Sequence, residues 1–388
     1  MTDEHAEERQ RDGTSADDTI YDELGVTTVV NARGSMTALG GSLLPPEVVE
    51  AMDRAAGSFV RMEELLDWAG REVAAVTGAE AGLVTTGAAG GLVLAAAACI
   101  TGRDRELMER IPDTAGVADE FVVQHHHDID YARGLRTAGG RTVVVGDESG
   151  ASVEQLEAAI GEETAALFHA VLDPQPTVSL AAAADVAHDR GVPVVVDAAA
   201  ELPPPENLHE FLDDGADLVA FSGGKNVRGP NDTGLLVGRA DLVEAARMQA
   251  FPNHGIGRAL KVSKEQIVGQ VTALKRWADR DHDERRARWR AAAERVCERV
   301  GDLPGVEATV AFPESGPRPL TIPRARVTVD EATVGRDADA VGAALKEGTP
   351  PVAVALNGPS DVLWVNPEHL REGEEEVVAR RLRSVLGG

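Results

Sequence analysis

The residues best placed to do chemistry lie in Phe221-Ser222-Gly223-Gly224-Lys225-Asn226-Val227-Arg228-Gly229-Pro230. An apolar run, Ala216-Asp217-Leu218-Val219-Ala220-Phe221, leads into small, turn-prone residues and then a lysine. Such a run, bounded by glycine, reads as a buried strand. Lys225 then stands at a strand's carboxyl end, where open α/β sheets take their ligands. The other four lysines, Lys261, Lys264, Lys275 and Lys346, all fall in polar, helix-like stretches. A lysine in a partly dry pocket loses proton affinity and becomes a nucleophilic amine. An aldehyde is one partner for such an amine, and pyridoxal phosphate (PLP) is the commonest aldehyde cofactor. A solvated lysine in a surface turn would show the same ten residues, so the decapeptide alone leaves both readings open.

Three further pieces fall at the ends of apolar runs. Thr85-Thr86-Gly87-Ala88-Ala89-Gly90-Gly91 joins a strand to a helix, and the first amides of a helix form a phosphate cradle. Small residues at any tight turn look alike, so this piece only supports the others. Asp197 follows Pro193-Val194-Val195-Val196 directly. A carboxylate at the end of a buried strand needs a cationic partner, and a protonated pyridine nitrogen would serve; an N-cap for the following Ala198-Ala199-Ala200-Glu201 is the plainer alternative. His125-His126-His127 follows Phe121-Val122-Val123 and offers an imidazole to stack on a ring. Three consecutive residues of an extended chain point to alternate sides, so no metal site is expected there.

These pieces need elements to hold them. Apolar strands are expected at 26–30, 81–84, 121–123, 142–145, 165–168, 193–196 and 218–221, with helices such as 63–77, 152–160 and 180–189 between several of them. That alternation means right-handed βαβ units and a mainly parallel sheet. Gly234-Leu235-Leu236-Val237-Gly238 comes too soon after Lys225 for a crossover helix and is expected to return antiparallel. Ser263-Lys264-Glu265-Gln266 has the capping-box pattern and opens a long helix expected to run on beyond Asp281 to Val300. A smaller α+β unit follows, with strands near 306–311, 325–329, 352–356 and 362–365 and helices near 338–346 and 374–385. The expected division is an acidic disordered tail at 1–20, an N-terminal arm at 21–61, a large cofactor domain at 62–260, and a linking helix with a small C-terminal domain at 261–388.

Composition sets the surroundings. The chain has 388 residues and a net charge of −27, with 3% aromatics, so small side chains must fill much of the core. An acidic surface repels nucleic acid and anionic lipid, and a lysine-poor acidic chain suits a high-salt cytoplasm. Two cysteines, Cys99 and Cys297, suggest neither a disulfide framework nor a zinc site. No leader and no membrane-spanning apolar stretch is read, so a cytoplasmic protein is expected.

Together the pieces resemble fold-type I PLP enzymes, in the branch holding selenocysteine synthase (L-seryl-tRNA selenium transferase) and D-glucosaminate-6-phosphate ammonia-lyase. The stretches that carry the resemblance are Val30-Asn31-Ala32-Arg33-Gly34, Leu39-Gly40-Gly41-Ser42, Val84 to Ala89, Ile111-Pro112-Asp113-Thr114, Val196 to Pro204, and Ser222-Gly223-Gly224-Lys225 with Arg228-Gly229-Pro230. It runs from about residue 24 to the C-terminus and implies an α/β fold with a seven-stranded, mainly parallel sheet. It further implies that Lys225 holds the cofactor as a Schiff base and that Asp197 faces the pyridine nitrogen. Thr86, Gly87, Ala88 and Ser222 would hold the phosphate, His127 would stack on the ring, and Gln175 would approach the ring hydroxyl. Where related sequences place a single histidine followed by arginine, this chain has three histidines followed by Asp128. A cofactor pocket at a subunit interface is also implied, hence a homodimer or higher homo-oligomer.

For reaction, the resemblance favours elimination of ammonia from a small amino acid or amino sugar acid, with Lys225 as the base at Cα. Arg33 and Arg228 are the candidates to meet substrate anions, with Arg258 and Arg324 as further ones. Selenium transfer to seryl-tRNA is the runner-up; the acidic surface and the lack of an added helical domain before residue 21 speak against it. A class V-like aminotransferase, and a catalytically silent binding subunit on the same fold, complete the alternatives.

Overall fold

The structure is a computed structural model that describes residues 19–172, 176–314 and 319–387. The acidic stretch 1–18 and Gln175 therefore lie outside the described residues. Within them, the strands are β1 (Val30–Ala32), β2 (Ala81–Thr85), β3 (Glu120–Gln124), β4 (Arg141–Val145), β5 (Thr164–Ala170), β6 (Val194–Asp197), β7 (Leu218–Ser222), β8 (Gly234–Gly238), β9 (Val306–Ala311), β10 (Arg324–Val329), β11 (Val352–Val354) and β12 (Val362–Val365). Helices that matter for the site are α1 (Pro46–Ala56), α2 (Met62–Thr77), α3 (Gly87–Thr101), α4 (Val153–Ala159), α5 (Leu180–His188), α6 (Ala240–Gln249), α7 (Lys264–Ala278), α8 (His282–Val300), α9 (Ala338–Glu347) and α10 (Glu374–Leu386).

Seven strands form the central sheet in the order β2-β8-β7-β6-β5-β3-β4. All pairs are parallel except those of β8, which runs antiparallel to both β2 and β7. Fully buried runs such as Thr164–Ala170 and Val194–Asp197 are what a sheet covered on both faces requires. One face packs against α2, α4, α5 and α7, with Val73, Leu156, Ala183, Leu274 and Trp277 in its core. The other packs against α3 and α6. Helix α3 has Leu92, Leu94, Ala95, Ala96, Ala97 and Ala98 all buried, the pattern of a helix enclosed on all sides. Its alanines let it lie close to the sheet, which is how a chain so poor in aromatics fills its interior.

The C-terminal unit has an antiparallel sheet, β12-β10-β9, under α8, α9 and α10. The first strand does not stay with its neighbours in sequence. It covers Val30–Ala32 rather than 26–30 and pairs in parallel with β11, Val30 opposite Val352 and Ala32 opposite Val354. Ala32 is buried in the same cluster as Leu363 and Leu382. The expected single helix from Ser263 to Val300 is two. Helix α7 ends at Ala278, and Asp281 caps α8, its carboxylate accepting from Glu284 N at 2.8 Å. The run Asp279-Arg280-Asp281 supplies both the stop and the new start.

Candidate active site

Lys225 lies three residues past β7, in a turn whose backbone is tied down from several sides. Gly223 N donates to Thr233 O at 2.8 Å, Gly229 N to Gly223 O at 2.8 Å, and Arg228 N to Lys225 O at 2.9 Å. A methyl group on Gly223 or Gly229 would overlap Gln270 Oε1, itself bonded to Thr233 Oγ1 at 2.6 Å. These glycines let α7 approach the turn. Arg228 adopts φ 61°, the only non-glycine residue with positive φ among those described. That conformation costs on the order of 1 kcal/mol and is held by the packing around it. Asn226 anchors the turn's far side. Its Oδ1 accepts from Trp277 Nε1 at 2.8 Å and its Nδ2 donates to Glu368 Oε1 at 2.7 Å. Both the long helix α7 and the C-terminal unit therefore grip the residue next to the lysine.

Asp197 ends β6, paired with Ala220 of β7 and Ala170 of β5, so it and Lys225 leave adjacent parallel strands at the same edge. Its Oδ1 accepts from Ala199 N at 3.0 Å, so the N-cap-like contact is present. Burial pushes this carboxyl above its ordinary range, with Ala199 N–H and Lys225 working against that and Glu201 with it. Burial likewise lowers Lys225, while Asp197, Glu201 and Glu368 pull it upward. The two shifts point away from a settled ion pair: burial outweighs mutual attraction in both groups. A buried acid and a buried amine in that condition suit a further cationic partner for the acid and a neutral, nucleophilic form of the amine.

The phosphate turn sits one strand away. Gly234 of β8 pairs with Ser222 on one side and Thr85 on the other. Ser222 and the Thr86-Gly87-Ala88 turn thus share one edge of the sheet with a single glycine between them. A Cβ at Gly234 would overlap Gly87, which is why a glycine occupies this position. Helix α3 begins at Gly87, with φ +65° and open space where a side chain would lie, and its first amides lack helical acceptors. Thr86 Oγ1 donates to Lys261 O at 3.3 Å.

His127 is buried at the end of a short 3-10 turn after β3. Its ring packs edge-on against His169 of β5, centroids 4.2 Å apart. The Nδ1 atoms of both rings are buried without a hydrogen-bond partner among the described residues. Burial, then His126, lowers His127 to about 4; burial, then His127, lowers His169 to about 3. No group of three metal-ligating side chains converges among the described residues. Of the arginines, Arg33 has a buried Nε without a partner among the described residues, and Arg228 Nε donates to Leu43 O at 2.7 Å. Arg258 lies over the Phe251 ring, and Arg324 is fully buried with Nη2 donating to Pro319 O. His169, Glu368 and Gln270 were not singled out in the sequence, and Trp277 is read there only as an apolar position of the long helix. Only Glu368 left a signal, a polar Asn366-Pro367-Glu368-His369 directly after β12.

A sequence profile described as L-seryl-tRNA selenium transferase matches residues 29–290. The chain belongs to the L-seryl-tRNA selenium transferase family. Within its wider set of relatives, the D-glucosaminate-6-phosphate ammonia lyase of Salmonella typhimurium is 35% identical over 376 residues, covering 94% of this chain and 97% of the relative. The 5'-C-glycyluridine monooxygenase-decarboxylase of a Streptomyces species is also 35% identical, covering 94% of this chain and 92% of that one. A solved structure of D-glucosaminate-6-phosphate ammonia-lyase superposes with a TM-score of 0.85 at 34% identity, covering 96% of this chain and 99% of the other. The selenium transferase of Moorella thermoacetica is further away, at 26% identity over 95% of this chain and 84% of its own. The chain is accordingly a PLP-dependent enzyme of fold type I, with the seven-stranded sheet expected of it. The site suits the cofactor on its own terms: an amide-lined turn at a helix start, a buried acid held by one backbone N–H, a lysine amine close enough to interact with it, and two packed imidazoles whose Nδ1 atoms have no partner among the described residues. No helix among the described residues is long and apolar enough to cross a membrane.

Proposed function

We propose that this enzyme releases ammonia from a 2-amino-3-hydroxy acid of the amino sugar acid class, leaving the 2-oxo-3-deoxy acid. Water lost across Cα–Cβ and regained on hydrolysis balances the reaction, so no oxidant and no amine acceptor is consumed. The observation that carries this reading is the whole-length likeness to the ammonia lyase, in sequence and in fold. In it, Lys225 holds the cofactor covalently, and Asp197 keeps the pyridine nitrogen protonated. The bound group supplies an electron sink for charge at Cα. The amine of Lys225, once released, would take the proton from Cα and hand it on to the departing hydroxyl. Burial lowers its proton affinity, which favours the neutral form that accepts the proton. Thr86, Gly87, Ala88 and Ser222 are assigned to the phosphate, His127 to the ring face, and Gln175 to the ring hydroxyl. Arg33 and Arg228 are assigned to the substrate's carboxylate.

Incubation with amino sugar acids and amino acids tests the reading directly. Ammonia and 2-oxo acid appearing in equal amounts, without acceptor and without oxygen uptake, support it. Strict dependence on an oxo-acid acceptor would replace it with an aminotransferase. The equal identity to the monooxygenase-decarboxylase gives a second reading, under which oxygen uptake and carbon dioxide release would accompany turnover.

We also propose a homodimer or higher homo-oligomer. Its support is the number of large apolar side chains exposed on the N-terminal arm, Tyr21, Leu24, Val26, Phe59 and Val60 among them, more than a monomer gains by exposing. A cytoplasmic location is proposed with it, consistent with two free cysteines; antibody detection in fractionated cells checks that. The division at residues 61 and 260 is kept as a proposal, with first cleavage near 260 in limited proteolysis as its check.

A further inference from the structure

Behind the lysine turn stands a second buried carboxylate. Glu368 follows β12, and its side chain is fully buried. Its Oε1 accepts from Asn226 Nδ2 at 2.7 Å, and Asn226 Oδ1 in turn accepts from Trp277 Nε1 at 2.8 Å. Its Oε2 has no hydrogen-bond partner among the described residues. His369 Nε2 lies 3.6 Å from that oxygen and is hydrogen-bonded with Ser35 Oγ at 2.6 Å. Burial holds His369 below its ordinary 6.5, with Glu368 pulling it upward and Arg228 downward. Near neutral pH the ring therefore brings no charge to Glu368. Four elements close on one carboxylate: the arm through Ser35, the segment after β12 through His369, the lysine turn through Asn226, and α7 through Trp277.

A buried charge is costly unless a cation or several donors meet it. A glutamine at 368 would accept the same bond from Asn226 and bury no charge, so packing alone gives the negative charge no use. What the charge faces is the turn. Its field reaches Lys225 and Arg228, the two cations there, and no ion pair joins it to either among the described residues. Arg228 cannot shed its proton, and its Nε is committed to Leu43 O. Lys225 can. Three carboxylates face Lys225: Asp197 at the end of β6, Glu201 beyond it, and Glu368 from the C-terminal unit. A protonated pyridine nitrogen takes up the charge of Asp197, and Glu201 acts on Asp197 as well as on the lysine. Glu368 keeps its charge for the turn. It is also fixed by the neighbours that hold it, as a preorganised electrostatic group has to be.

We propose that Glu368 is a positioning residue for Lys225: through Asn226 it fixes the lysine turn, and through its charge it favours the protonated form of the Lys225 nitrogen. Glu368 stays ionised throughout and takes no proton itself. The proton it favours on Lys225 is the one that comes from Cα, so for that step the proposal rests on the ammonia-release reading. The coupling of charge between Glu368 and Lys225 does not depend on which reaction follows.

The test compares cofactor-loaded wild type, Glu368→Gln and Glu368→Asp. Absorbance spectra taken across neutral and alkaline pH read the fraction of enzyme in which the Lys225 nitrogen, joined to the cofactor, is protonated. Removing an anion disfavours a nearby cation, so Glu368→Gln is expected to lose that proton at a pH lower by about half a unit or more. Glu368→Asp keeps the charge, set back by one methylene, and is expected to fall between wild type and Glu368→Gln. If Glu368→Gln does not fold, Glu368→Asp against wild type carries the comparison, with a smaller fall in the same direction. Spectra that coincide at every pH, a shift upward, or equal falls in the two variants overturn the proposal, the last marking a packing effect alone. With substrate, Glu368→Gln should lower kcat roughly threefold or more at neutral pH while KM changes by less than about twofold. A shifted spectrum with no ammonia released from any compound would leave the role of Glu368 standing and sink the reaction reading. Ammonia released by all three proteins with coincident spectra would do the reverse.

Discussion

The buried imidazole pair makes a prediction that can be worked through in numbers. His169 sits in β5 against His127, and burial lowers its proton affinity from the ordinary 6.5 to about 3. In the unfolded chain the same imidazole titrates near 6.5. Between those values the unfolded state binds a proton that the folded state refuses. The stability from this group is therefore whole above pH 6.5 and is lost as pH falls towards 3. For one such group, lowering the pH from 7 to 5 removes about 2 kcal/mol. The perturbation is His169→Asn, which abolishes the titration while keeping a polar side chain. Urea unfolding of both proteins, prepared without cofactor so that ligand linkage does not enter, gives stability at pH 7 and pH 5. Whatever the variant costs in packing, the gap between wild type and variant should narrow by about 2 kcal/mol on acidification. A gap that stays constant, or widens, refutes the placement of a neutral imidazole in this sheet.

Asp197→Asn keeps an oxygen for Ala199 N–H but removes the charge that faces the ring nitrogen; turnover should fall between ten- and a hundredfold, as loss of a charge-assisted hydrogen bond implies, and undiminished turnover would remove Asp197 from its assigned role. Because burial lowers Lys225, acetic anhydride at pH 7.5 should label it in the cofactor-free protein more than exposed, ion-paired Lys275 relative to the unfolded chain; peptide mass spectrometry reads the ratio, and the reverse order would contradict the lowered proton affinity. Phe59 is fully exposed, so Phe59→Asp should cost little folding stability but shift the protein towards monomer in light scattering if the apolar arm is the subunit contact. A variant that remains fully dimeric would place the contact elsewhere.

Much of the architecture was legible because parallel strands buried on both faces are short continuous apolar runs. Phe121-Val122-Val123, Val194-Val195-Val196 and Leu218-Val219-Ala220-Phe221 each announce themselves, and glycine marks where they stop. The same logic put Asp197 and Lys225 at strand ends, and the structure sets Asp197 at the end of β6 and Lys225 just past the end of the neighbouring β7. The order of strands was not legible. That β8 inserts between β2 and β7, placing Gly234 between Thr85 and Ser222, follows from pairing across more than a hundred residues. The joining of β1 to β11 spans some 320 residues and has no local signature. Asp281 was read as an interior helix residue, since one carboxylate looks the same in a solvated face and at an N-cap. His169 left no signal for a related reason, and Glu368 only a polar stretch after β12. Each is a single polar residue whose meaning comes from what tertiary packing sets beside it: Asn226 for one, His127 for the other.

The central claim is covalent, that the ε-nitrogen at position 225 carries the cofactor. Reduction of the purified enzyme with borohydride, followed by digestion and peptide mass spectrometry, measures it. One phosphopyridoxyl group per chain is expected, on the peptide containing Ser222-Gly223-Gly224-Lys225. Label on any of the other four lysines, or no label on an enzyme that is yellow before reduction, would contradict it.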